Sequence, residues 1–289
     1  MSRFQSLSST GFFLLLNHMD AWGSTLIIAT LALLLHDNLN WDSVPLVAAL
    51  TTGYWLAFAL NDYFDAPYDA VDPRKARRNF FVHFSLSRRQ LLLPAALLSA
   101  FPFLILATYG WFGLLMALLA FFVPWAYSAP PLRLKNRPGL DLLTHALFVE
   151  TFPYITCLLL TQTQWMRLDI VMILILFLAS LTAQLEQQLR DFQVDVSTGT
   201  TFATRFGHRS TAHLLKAATA VLALVAVIHV VDGTIPLFVA AFGLISLPAL
   251  LHRFLRDRRQ PRSEWLITLS AAAGLLYTGL VILRRVLRP

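Results

Sequence analysis

Sulfur chemistry is the first thing missing: Cys157 is the one cysteine, so the chain can form no internal disulfide and no cysteine-rich zinc site. Its place in the apolar run 154–160 makes it a packing residue. Glycine-rich loops of the nucleotide-binding type are absent, and no histidine spacing suits zinc. A cleavable leader is not legible either. The apolar run from Phe12 is broken by Asn17, His18 and Asp20 and is followed by no small-residue cleavage site, so this segment is expected to stay in the mature protein. Charge is scarce, at 13% of residues against 57% hydrophobic, with 22 Phe and 7 Trp among the apolar residues. That balance excludes an ordinary water-soluble domain and belongs to a membrane protein.

What is present is a series of apolar runs, each near the roughly 20 residues a spanning helix needs. Nine are expected, at 12–35, 44–60, 90–108, 111–127, 140–160, 168–189, 212–231, 236–254 and 265–283. Continuous apolar runs suit helices rather than the alternating strands of a barrel. The expected fold is therefore all-α: a polytopic membrane protein of nine transmembrane helices, forming one integral domain over 1–289. Of the 23 basic residues, all but Arg167, Arg284, Arg285 and Arg288 fall in the N-terminal segment or the loops after spans two, four, six and eight. This bias puts those loops on the cytoplasmic side, in the inner membrane. The net charge of +7 is dispersed over loops beside spans, which argues against nucleic acid and for membrane lipid headgroups and a phosphorylated substrate.

Against this greasy background, NDYFDAPYDAVD at 61–72 holds four aspartates flush with the end of span two. A charged group near the bilayer core costs from about 2.5 kcal/mol upward, so such a cluster calls for a countercharge. Asp62, Asp65 and Asp69 are spaced i, i+3, i+7, which keeps them within about 60° of one helix face. The helix is expected to continue through them, with Pro67 as a bend. A second cluster follows span six. Gln184, Gln188, Asp191 and Asp195 form a polar stripe on an otherwise apolar helix, on the same side of the membrane by the charge bias. Two carboxylate clusters beside Arg and Lys suit a magnesium–diphosphate cage, since Mg²⁺ takes oxygen ligands and joins carboxylates to phosphate oxygens. Ionising an allylic diphosphate there would leave a cation that aromatic faces can shield.

The motif NDYFDAPYD at 61–69 resembles the NDxxDxxxD signature of the UbiA superfamily of intramembrane prenyltransferases, and RDFQVDVSTGTTFATRFG at 190–207 resembles its second aspartate motif. A third segment, YSAPPLRLKNRPGLD at 127–141, is similar to the loop after span four in chlorophyll synthases and lycopene-prenylating enzymes. The resemblance implies a helical bundle around a central cavity. It implies Mg²⁺-dependent transfer of a prenyl group from an allylic prenyl diphosphate to a lipophilic acceptor, with two or more ions. Carried over by position, Asn61, Asp62, Asp65 and Asp69 would hold one metal, and Asp191 and Asp195 the other. Asp65, Asp69, Asp191 and Tyr127 would be catalytic, while Asn61, Arg78, Arg133, Lys135 and Arg190 would bind the diphosphate.

Two departures set this chain apart. The RPxxxG-like element that follows the first motif in many members reads RRNFFVH at 77–83, without the proline or the glycine, and Pro131 stands where a YxxxK pattern would put its lysine. The enzymes acting on 4-hydroxybenzoate and naphthoate are therefore poor templates for the acceptor side, and DPRKARRN at 72–79 reads closer to the lycopene-elongating branch. Asn17, His18, Asp141, His145 and Glu150 are further polar residues in the spans, candidates for an acceptor pocket or for a base that removes a proton. Hydrogen bonding between helices is the competing role for each. An intramembrane terpene cyclase of the same superfamily and, in a different class, a transporter with intramembrane acids are the rival functions.

Overall fold

An apolar segment in lipid must satisfy its own backbone N–H and C=O groups, which is why runs of this kind become helices. The computed structural model describes residues 19–83, 88–256 and 263–286; every regular element among them is helical, and they contain no strand. Asn17 and His18 lie outside the described residues. In order, the helices are α1 (Met19–Leu35), α2 (Val44–Asp69), α3 (Pro73–Arg78), α4 (Phe80–His83), α5 (Arg88–Ala107) and α6 (Gly110–Ser128). There follow α7 (Leu140–Leu160), α8 (Arg167–Thr198), α9 (Phe202–Phe206), α10 (His208–Val231), α11 (Leu237–Leu255) and α12 (Glu264–Val286).

Seven helices among the described residues are long and apolar enough to cross a bilayer. Two shorter apolar helices, Trp22–Leu35 and Leu93–Ala107, stand at the first and third expected spans. The first falls short because the start of that run lies outside the described residues, the other because α5 opens on Arg88, Arg89 and Gln90. Among the described residues, each of the nine expected segments corresponds to a helix, seven of them of spanning length.

The chain divides into two compact units, Met1–Leu26 with Asn38–Lys135, and Ile27–Asp37 with Asn136–Pro289. In the first, α2 packs against α5 and α6, and the α5–α6 hairpin closes so tightly that a Cβ on Gly113 would lie 1.8 Å from the Leu106 carbonyl oxygen. Helix α2 runs unbroken through the first acidic motif although Pro67 lies inside it and supplies no N–H for the Tyr63 carbonyl. In the second unit α8 is the central member, packed on α7 and α10. Leu142, Leu185 and Leu215 form its buried cluster, with Leu181, Leu189 and Phe202 against them. Helix α7 contains one π turn, Leu147–Thr151, with Thr151 Oγ1 bonded to the Ala146 carbonyl at 2.9 Å.

Candidate active site

The first acidic motif occupies the last turns of α2. Asp62 is buried, while Asn61, Asp65 and Asp69 are half-buried. Opposite them, the residues after α6 return across the same unit. Ser128 donates to Asn61 Oδ1 at 3.0 Å. Lys135 Nζ donates to Asn61 Oδ1 at 2.9 Å and also to Asp65 Oδ1. One ammonium is thereby held by an amide oxygen and a carboxylate oxygen one helical turn apart. Arg133 Nη2 reaches Asp65 Oδ1 at 3.3 Å, and its guanidinium lies 4.0 Å over the Tyr68 ring. Arg133 Nε is buried and has no hydrogen-bond partner. Burial pushes the Lys135 ammonium below the ordinary lysine range, and the Asp65 carboxylate opposes that shift.

The remaining members of this set are close in the chain. Asp69 Oδ2 accepts from Asn79 Nδ2 at 2.9 Å. Tyr127 is half-buried, one residue before Ser128, and Arg78 is exposed at the end of α3. Asn79 and Ser128 were not among the sequence-derived candidates. A lone asparagine after a basic run, or a serine at a helix end, carries no periodic signal.

In the second unit, Arg190 Nε and Nη2 donate to the two oxygens of Asp191 at 2.9 and 3.2 Å. This bidentate pair presents a guanidinium and a carboxylate side by side. Asp195 lies one turn further on the same helix and is half-buried. Asp141 is buried and accepts four hydrogen bonds: from Gly139 N, Leu142 N, Phe202 N and Gln188 Nε2, all between 2.7 and 2.9 Å. Gln188 Oε1 in turn accepts from Ala203 N at 3.0 Å. These two residues staple the starts of α7 and α9 onto α8, the helix-to-helix role weighed against an acceptor-side one. Ser180 donates to the His145 carbonyl at 3.0 Å, so the 3.1 Å contact between its oxygen and His145 Nδ1 requires the ring N–H as donor. Glu150 sits within the π turn of α7.

Among the described residues, no three carboxylate, imidazole or thiol side chains close on one point. Within the first motif, the side-chain oxygens of Asn61 and Asp65 converge on a lysine ammonium.

A model of the UbiA prenyltransferase family matches residues 21–280. The chain belongs to the UbiA prenyltransferase family. Two lycopene elongase/hydratase sequences from Corynebacterium glutamicum are 40% and 39% identical to it over 89 residues, a stretch covering 30% of this chain and 31% of each relative. The match thus spans about a third of the curated relatives. Among solved structures, a UbiA homolog from Archaeoglobus fulgidus bound to GPP and Mg²⁺ aligns at a TM-score of 0.70 and 18% identity, covering 93% of this chain and 99% of that one. The apo UbiA homolog from Aeropyrum pernix K1 aligns at 0.70 and 17% identity over 92% and 98%. At these identities the likeness shows that the chain has the UbiA fold.

Proposed function

We propose that this chain is a magnesium-dependent intramembrane prenyltransferase that moves the prenyl group of an allylic diphosphate onto a lipophilic acceptor and releases diphosphate. The observation that carries the reading is the joint grip of Asn61 Oδ1 and Asp65 Oδ1 on the Lys135 ammonium. It makes these two oxygens a cation site of hard donors, the class magnesium selects. Among the described residues no three acidic side chains close on one point, so an ion there would complete its shell with water and diphosphate oxygens, as magnesium usually does. Asn61, Asp62, Asp65 and Asp69 would hold magnesium at the first motif, and Asp191 and Asp195 at the second.

Bound magnesium would neutralise charge on the departing diphosphate. Arg133 brings a buried, unpartnered Nε–H and Lys135 a point charge, both suited to phosphate oxygens; Arg78, Arg190 and Tyr127 complete the diphosphate set. The C–O bond breaks with its electron pair on the diphosphate, the allylic cation adds to a double bond of the acceptor, and the new cation loses a proton. Glu150, at the π turn, is the carboxylate assigned to that proton, because Asp141 and His145 are engaged in bonds between helices.

The lycopene elongase/hydratase relatives make a lycopene-like polyene the first acceptor to supply. The basic loops beside the acidic motifs support a reaction on the cytoplasmic side of the inner membrane. Purified protein incubated with Mg²⁺, lycopene and geranyl, farnesyl or geranylgeranyl diphosphate is expected to give the acceptor plus prenyl mass, with diphosphate release that requires the acceptor. A cyclic hydrocarbon formed without any acceptor would replace this reading with a cyclase.

A further inference from the structure

We infer that Asn79 is a positioning residue for the first metal site, fixing the Asp69 carboxylate at the end of α2; this rests on the function proposed above. Asn79 is 2% exposed and occupies the break between α3 and α4. A buried amide is costly unless its polar atoms are met. Its oxygen accepts from Phe81 N at 2.9 Å, a local turn that starts α4. Local structure does not account for its nitrogen. Nδ2 reaches back along the chain to the motif itself, donating to Asp69 Oδ2 at 2.9 Å and to the Asp62 carbonyl at 2.8 Å. Helix α4 has a separate anchor on α2 in the edge contact of Phe81 with Tyr63, at 5.5 Å between centroids.

The consequence for Asp69 is specific. It is the last residue of α2, two beyond Pro67, where helix ends fray. Fixing Oδ2 selects one rotamer and leaves Oδ1 to an ion. Because an amide is neutral, it orients the carboxylate without offsetting its charge, in contrast to Lys135 on Asp65. Asn79 also stands where the RPxxxG-like element has its proline, a residue that supplies none of these hydrogen bonds.

Two substitutions separate positioning from bracing. Asn79→Leu keeps the branched outline of the side chain without its polar atoms, and Asn79→Ser preserves the turn to Phe81 but cannot span to Asp69. In detergent, thermal stabilisation is titrated with Mg²⁺ in the presence of inorganic diphosphate, and the Mg²⁺ dependence of turnover is measured beside it. Both variants are expected to need about 10–100-fold more Mg²⁺ for half-saturation in each titration. Their kcat at saturating Mg²⁺ should stay within a few-fold of the parent. If Asn79→Leu fails to fold, Asn79→Ser decides. A lower melting temperature with unchanged half-saturating Mg²⁺ would reduce Asn79 to a structural brace and overturn the inference. No Mg²⁺-dependent stabilisation of the parent protein would instead overturn the functional reading beneath it.

Discussion

Lys135 reports how the first motif treats a cation. Its ammonium is mostly buried, which disfavours charge, yet two oxygens of α2 hold it. Replacing it with Met should raise the KM for prenyl diphosphate at least about tenfold, since a charge-assisted phosphate contact is lost. Lys135→Arg should recover part of that loss, because the guanidinium stays charged but its planar fork fits a two-oxygen site less well. Initial rates against diphosphate concentration decide this, and an unchanged KM for the Met variant would remove Lys135 from the substrate site. That Asp65 in the first motif meets a countercharge was legible in the sequence, because acids next to an apolar run need partners. Asp141 was less so. A carboxylate near the start of a helix reads equally well as a base or a staple, and only its four N–H donors identify the staple.

Helix positions were legible because burial in lipid leaves each long apolar run one backbone solution. Their ends were harder to read. The apolar part of span six was read as ending at 189 with the helical stripe carried on to Asp195, and α8 does continue through Asp191 and Asp195, ending at Thr198; hydropathy falls there although the backbone does not change. The π turn in α7 had no signature at all, since one extra residue per turn alters neither composition nor apolar run length. Close packing is similarly invisible. Gly113 reads as an ordinary glycine in an apolar run, but its α-carbon faces the Leu106 carbonyl across the α5–α6 turn. Gly113→Ala should therefore destabilise the hairpin by about 1–3 kcal/mol through overpacking. A melting temperature in detergent equal to the parent's would show that the turn can relax to accept a methyl group.

The molecule as a whole presents large apolar side chains outward along α11 and α12, among them Leu244, Leu251, Leu276 and Leu280, a surface suited to lipid tails. Six of its 16 acidic residues stand in the two motifs, one motif in each compact unit, while Asp141, Asp169 and Glu186 are buried outside them. Composition and motif spacing made the membrane class and the UbiA family legible before any coordinates. The hydrogen bonds that Ser128, Arg133 and Lys135 make to the first motif were not, because they join residues 67 to 74 positions apart. Both motifs are proposed to serve metal-dependent departure of diphosphate. The most direct test is the rate of diphosphate release by Asp65→Ala and Asp191→Ala, each shown to be folded in detergent, with Mg²⁺ and with a chelator. Each substitution is expected to slow release by at least about a hundredfold, the scale seen when one group stabilising developing charge is removed, and the chelator should abolish release by the parent. Near-parental release by either variant, or undiminished release in the chelator, would contradict the account.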